Sequence, residues 1–475
     1  MKKYLNILFL TSILILSFYL RLDAYLVNNS FFTDEVLLFA NVFSKNYIQL
    51  IQPLQFFQSA PYIFLVLSKF IANHVGINEL CLRFIAFFSS VVSVFLFYKL
   101  ITIIFKKRLT QSIALLTFGI NYQLLFYTQT FKQYSSDILV ITLYLYILLK
   151  YLNDLKSTKQ YTFLGLLSLL SIFTSFPAII FIPAVYFALF ITKRNILKIL
   201  YAATYPAIGL TLYYLLNLRF VNDSTYLHKY WQKGFQIFSF ELYKMNFDFL
   251  FSYYCFPILL LILLVIGFYF LYKNNKLLFC TFILTIFNTL LFAFLKIYPC
   301  ERRLILFLLP VLLIVMMYPL DNLKKNLISF ITLTISCIFL GCGYFNFAKN
   351  YIQGNVSYLR QDVKPLLQKI INKKESENVY IYYGAISTYS YYSLIYALPT
   401  KIYIATYPND EKISELFLQQ DLNNLPSGIY YLLFVKGTGT YEKDISYIES
   451  YLKTNYEILS NDTSKSAKLL KIKIK

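Results

Sequence analysis

The stretch Leu304–Leu320 reads LILFLLPVLLIVMMYPL and carries no charge. A helical bilayer span needs about 20 predominantly apolar residues, and Arg302 and Arg303 on one side with Asp321 on the other frame this one. Working outward, comparable runs lie at 4–20, 82–105, 111–127, 136–152, 161–175, 177–192, 196–218, 250–272, 277–295 and 326–346. The whole chain is 58% hydrophobic and 14% charged, whereas soluble domains are about 45–50% apolar and about 25% charged. No soluble core absorbs that many runs of spanning length, so the sequence predicts a polytopic α-helical membrane protein of about eleven spans. Pro177 and Pro183 interrupt the 161–192 region. Proline is tolerated within membranes, so two tight spans or one kinked hairpin both fit.

A net charge of +21 raises the question of nucleic acid. Up to residue 346 there are 28 basic against 11 acidic residues, and beyond it 16 against 12. The excess therefore sits in short loops between apolar runs, as membrane topology demands, and nucleic-acid binding is excluded. Lys2 and Lys3, Lys106 to Arg108, Lys156 and Lys159, Lys193 and Arg194, Lys273 and Lys276, and Lys324 and Lys325 fall on one side if eleven spans are counted. That side is the cytoplasm by the positive-inside rule. The expected location is the plasma (inner) membrane, with loops 21–81, 128–135, 219–249 and 296–303 outside. The N-terminal run lacks a small-x-small cleavage site and ends at Arg21, so it reads as an uncleaved first span. Cys81, Cys255, Cys280, Cys300, Cys337 and Cys342 all lie in or beside apolar segments and read as small packing residues.

The expected division is a membrane domain over 1–346, including the first outer loop 21–81, and a soluble extracytoplasmic α/β domain over 347–475. In the latter, a helix is expected over 352–371, strands over 379–383, 402–405, 429–435 and 469–474, and helices over 414–422 and 445–452. Gly437-Thr438-Gly439 reads as a turn, because the remaining glycines and the lysine of a phosphate loop are missing. No internal repeat is evident.

Three polar clusters lie on the expected outer side. The first is Phe32-Thr33-Asp34-Glu35, followed by amphipathic stretches over 37–43 and 61–70 that suit helices on the membrane surface. A carboxylate beside low-dielectric lipid gains proton affinity, which suits a general base. The alternative is a helix cap, for which Thr33 and Asp34 are the right residue types and Glu35 suits the first turn. The second is Lys132-Gln133-Tyr134-Ser135-Ser136-Asp137, where Lys132 suits a phosphate and Asp137 is a partner for it; interfacial snorkelling with capping is the plainer reading. The third is Glu301-Arg302-Arg303, whose outward cations suit either an anionic ligand or headgroup anchoring. Only His74 and His228 are present, so a histidine-based metal site is not expected. Acid and base on one face suggest an enzyme acting on a lipid-linked anion.

Five blocks in this order carry a resemblance: Phe32 to Glu35; Leu82-Arg83-Phe84; Lys132 to Asp137; Tyr298-Pro299 with Arg303 to Pro310; and Val363-Lys364-Pro365 with Val379 to Ala385. Together they resemble the bacterial GT-C membrane glycosyltransferases, the glycosyltransferase family 39 or protein O-mannosyltransferase-like group. That resemblance implies a polyprenyl-phosphate-linked sugar donor and a glycan, lipid or protein acceptor at the outer face. It assigns the base to Asp34 with Glu35 beside it, and donor phosphate binding to Lys132, Tyr134, Arg302 and Arg303. Asp137, Arg83 and Tyr298 support the site, and transfer would invert the anomeric carbon. It names no metal ligands, while leaving room for a divalent metal. The resemblance also expects an acid two positions before Lys132, where this chain has Thr130. A transporter or flippase, or a polymerase of polyprenyl-linked glycans, is the alternative.

Overall fold

The computed structural model describes all residues except 1, 153–154, 194, 324–326, 359, 408–413, 438–440 and 475, and only the backbone of 2–7, 222, 327–331 and 414. The loop cations Arg194, Lys324 and Lys325 and the Thr438-Gly439 part of the expected turn thus lie outside the described residues. The chain forms two compact units. The first comprises Met1–Val27, Lys45–His74 and Leu82–Ser357; the second comprises Asn28–Ser44, Val75–Cys81 and Tyr358–Lys475. Two segments of the 21–81 stretch therefore group with the C-terminal part.

The first unit is helical, and each apolar run predicted from the sequence lies at least in part on a helix among the described residues. Among the described residues, seven helices are long and apolar enough to cross a membrane. The run at 111–127 is not one rod: Arg108–Gly119 and Tyr122–Thr128 are separated at Asn121, whose side chain accepts from the Gln123 and Leu124 amides and caps the second piece. The 161–192 region is two helices, Thr158–Thr174 and Ala178–Thr192, with Pro177 opening the second. The run at 250–272 begins its helix only at Pro257, a favourable first helical residue.

Burial sorts these helices. Leu309–Asp321 is surrounded by protein, with eleven of its residues buried from Leu309 to Leu320. Pro257–Asn274 instead presents Ile258, Leu261 and Val265 outward, a face that suits hydrocarbon and not water. The two helices meet where a Cβ on Gly267 would lie 2.1 Å from the Val315 carbonyl oxygen, so only glycine permits that approach. Polar side chains tie other helices together. Tyr144 bonds Ser168 at 2.8 Å, Ser168 bonds Tyr186 at 3.2 Å, and Tyr186 donates to the Ala202 carbonyl at 3.0 Å. Four helices are thus joined by hydrogen bonds that water does not compete for. Arg21, fully buried, donates to Ser90 at 3.0 Å and to the carbonyls of Ser17 and Gly119 at 3.0 and 2.9 Å. A cation there needs such partners, and it locks the first helix to Glu79–Ile104 and Arg108–Gly119.

The second unit is an α/β layer. Strands β1 (Glu377–Ile381), β2 (Tyr403–Ile404), β3 (Gly428–Val435), β4 (Glu457–Ser464) and β5 (Ala467–Ile474) form one sheet in the order β2-β1-β3-β5-β4. The first three are parallel, while β5 runs antiparallel to β3 and to β4. Val379, Ile381, Leu432, Phe434, Leu470 and Ile472 are buried along it. The helix expected over 352–371 is corrected: Leu327–Ile352 ends at the first residue of that range, and a separate helix, Lys364–Ile371, starts with Pro365 in its first turn. A proline there cannot continue a preceding helix. Strand β4 and the helix Ile386–Ser393 were not foreseen.

Candidate functional site

Thr33-Asp34-Glu35 opens the helix Thr33–Ser44, with both acids in the first turn where they complement the helix dipole. The Glu35 carboxylate accepts the Phe32 amide at 3.0 Å and is 3% exposed. That is the capping arrangement, in which an acid in the first turn reaches back to an orphan N–H. Thr33 Oγ1 donates to the Lys436 carbonyl at 2.8 Å. The adjacent carboxylates thus have different surroundings: Glu35 is engaged in the cap, while Asp34 is half-buried in the same turn.

In the first unit, the polar run Gln129 to Asp137 is buried, although polar turns ordinarily face water. A tight turn brings the Lys132 amide to the Thr130 carbonyl at 2.7 Å. Lys132 Nζ donates to Gln58 Oε1 at 2.6 Å. Where the resemblance expects an acid, the Thr130 hydroxyl donates to the Phe126 carbonyl at 3.1 Å; it adds no charge. Ser135 bonds the Tyr127 carbonyl at 2.9 Å and Ser136 bonds Ser89 at 3.1 Å. Tyr134 and Asp137 are buried in the first turn of Tyr134–Tyr151. Arg83 is buried in Glu79–Ile104.

The loop before the central helix is held from outside. Cys300 donates its amide to the Gly234 carbonyl at 2.9 Å, and a Cβ on Gly234 would meet Pro299 Cβ at 2.8 Å. Asn246 donates to the Cys300 carbonyl at 2.9 Å and accepts the Arg302 amide at 2.8 Å. Arg302 itself takes the left-handed conformation, with φ 45°, which costs free energy unless neighbours enforce it. The outcome is that the Arg303 guanidinium lies 5.1 Å from the Trp231 ring centre and 5.8 Å from that of Tyr134. Aromatic faces attract a guanidinium. Arg302 is exposed, with Glu301 only loosely paired at 3.9 Å. Burial raises the Glu301 carboxyl above its ordinary range, against the pull of Arg302. Tyr298 donates to the Leu304 carbonyl at 2.8 Å, and burial, with Asp137 beside it, pushes its phenol well up. The buried Cys300 thiol is raised by burial to about 12, which leaves it inert.

Of the predicted residues, the structure gathers Tyr134, Arg303, Asp137 and Tyr298 in the first unit, and places Lys132 in the same buried run. Asp34 and Glu35 belong to the second. Gln58, Gly234 and Asn246 escaped the sequence reading, because a polar residue in a loop carries no local sign of its distant partner. Trp231 also went unassigned, although it is the single tryptophan of the chain. Among the described residues, no three His, Cys, Asp or Glu side chains gather in a metal-binding group.

No protein-family model and no curated protein sequence matches the chain. Solved structures do. The apo crystal structure of ArnT from Cupriavidus metallidurans is 10% identical, with a TM-score of 0.55 over 99% of this chain and 98% of that one. The same protein bound to undecaprenyl phosphate aligns at a TM-score of 0.46, with 11% identity over 98% of this chain and 97% of that one. An Archaeoglobus fulgidus oligosaccharyltransferase in complex with zinc and sulfate gives 0.49, with 11% identity over 96% of this chain and 72% of that one. At such identities a likeness speaks for architecture. The chain has, from end to end, the GT-C-like fold of apo ArnT: a polytopic helical membrane part followed by a small α/β domain.

Proposed function

We propose that the chain is an integral membrane glycosyltransferase that moves a sugar from a polyprenyl-phosphate donor to an acceptor hydroxyl. The observation that carries this reading is Arg303, lying over the Trp231 and Tyr134 rings on a loop held by Asn246. A membrane helix bundle that fixes a guanidinium at the end of its central helix is built to receive a lipid-borne anion. Lys132 contributes a second cation from the buried run two residues before Tyr134.

The chemistry follows from the leaving group. A phosphate departs as an anion, so it needs cations more than a proton donor. Arg303 and Lys132 hold it and stabilise the charge that grows as the C1–O(phosphate) bond breaks. Asp34 accepts the proton of the acceptor hydroxyl as its oxygen bonds to C1 from the opposite face, inverting the anomeric carbon. Glu35, engaged in the cap, shapes the turn. The acceptor is a glycan, lipid or protein, and the C-terminal domain and polar clusters face outside, in keeping with the loop charges.

The test uses the purified full chain in detergent with a panel of 14C-labelled polyprenyl-phosphate hexoses and pentoses, and envelope extracts as acceptor. Label is expected in a new product, and Asp34→Asn is expected to lower the rate by about 10²-fold or more. Absence of transfer in detergent, with donor translocation in vesicles, would identify a transporter instead. A ladder of products would identify a polymerase.

A further inference from the structure

In the second unit the chain leaves β1 to one side and returns for β3 on the other. The carboxyl ends of β1 and β3 therefore flank the switch point at which such sheets ordinarily take ligands. Thr33 is bonded at that edge. Its hydroxyl donates to the carbonyl of Lys436, the first residue beyond β3. The peptide before it is bonded as well, since the Lys436 amide donates to the Ser466 carbonyl at 2.9 Å.

Two further anchors precede it. The Phe31 amide donates to the Tyr392 hydroxyl at 3.0 Å, and that hydroxyl donates to the buried Glu79 carboxylate at 2.7 Å. Ser30 Oγ accepts the amides of Val363 and Lys364 at 3.0 and 3.2 Å. Lys364 Nζ closes the ring on Glu79 at 2.8 Å. Phe31 itself is fully buried, 4.9 Å from the Tyr391 ring. Residues 30, 31 and 33 are thus each bonded to a different element of the α/β unit, immediately before Asp34. The Glu35 cap is the local bond at this helix start, to the Phe32 amide. The extra bonds set where the turn stands and how it is rotated.

We infer that the C-terminal α/β unit is the positioning device for Asp34, with Thr33 and Tyr392 as positioning residues. The switch-point edge holds the chain's own turn in the way related sheets hold a ligand. This rests on Asp34 acting as the base. A base displaced by about 1 Å loses on the order of 10²-fold in rate, so a tether of this kind has a kinetic consequence larger than its contribution to folding.

The experiment measures transfer from 14C-labelled polyprenyl-phosphate mannose, or whichever panel donor is active, by full-length Thr33→Val, Thr33→Ser, Asp34→Asn and Thr33→Val/Asp34→Asn proteins. Thr33→Val is expected to lower kcat by about tenfold or more with donor KM within about twofold, and Thr33→Ser to restore it. In the Asp34→Asn background, Thr33→Val should cause no further loss. An inactive Asp34→Asn protein beside a fully active Thr33→Val protein overturns the inference while sparing the base. A Thr33→Val loss that persists in the Asp34→Asn background shows a merely structural role and overturns it too. A fully active Asp34→Asn protein removes the base assignment and this inference with it. If Thr33→Val fails to fold, Tyr392→Phe carries the same comparisons.

Discussion

Asp34 and Glu35 are adjacent carboxylates, to which the proposed function assigns different roles. Glu35 is buried and accepts the Phe32 amide. Glutamine keeps an acceptor oxygen at that distance, so Glu35→Gln is expected to retain label transfer within about threefold, unlike Asp34→Asn. Arg303 makes a contrasting case. Its planar guanidinium lies over Trp231 and Tyr134, and a lysine keeps the charge but not the fork or the stacking. Arg303→Lys is expected to raise donor KM by about tenfold with a smaller effect on kcat, measured with the labelled donor. A helix start at Thr33-Asp34-Glu35 was legible in the sequence, but that Glu35 reaches back to the Phe32 amide depends on the fold of the turn. The rings over which Arg303 lies were not legible, because Trp231 and Tyr134 are far from it along the chain.

Among the elements, the Pro257–Asn274 helix reaches the central helix only because Gly267 has no side chain. Gly267→Ala would set a methyl against the Val315 carbonyl, and backbone cannot swing aside. The expected cost is about 1–3 kcal/mol, read as a lower thermal midpoint in detergent. In the sheet, Glu377 at the start of β1 pairs with Lys471 of β5 at 2.7 Å. Burial opposes its ionisation, but the hydrogen bond from Lys471 and the Lys374 amide outweigh burial and hold the carboxyl below its ordinary 4.5. The folded state therefore favours the ionised form. That stabilisation is complete above about 4.5 and is lost as the pH falls through the lower folded value. The protection of β1 amides, relative to their intrinsic exchange rates at each pH, is expected to decrease across that fall, and Lys471→Met should flatten the dependence. The strands themselves were readable where apolar residues run together, as in β3. Strand β4 was not: its alternation of exposed and half-buried positions has polar residues on both faces, and its pairing with β5 makes it a strand.

At the scale of the whole molecule, the arrangement of cations among short loops predicts topology. An alkaline phosphatase fused after Lys475 is expected to be active and a fluorescent protein fused there dark, as for an extracytoplasmic C-terminus. The reverse pattern would move the proposed site to the cytoplasmic face. The seven long apolar helices found among the described residues and the shorter Ala178–Thr192 need the bilayer to satisfy faces such as Ile258, Leu261 and Val265. Within the bundle, Arg21 and the Tyr144–Ser168–Tyr186 chain supply the polar fastening that lipid cannot weaken.

The sequence by itself determined the membrane class, the positions of the helical runs and the α/β character of the C-terminal part. Those follow from hydropathy and periodicity, which act over a turn or a strand. Tertiary structure alone decided that Lys132 meets Gln58, 74 residues away, and that Asn246 holds the loop carrying Arg303. It alone tied Thr33 to Lys436 across 403 residues. Such pairs are selected by the packing of whole elements, and a one-dimensional pattern of polarity holds no record of which polar group another will face.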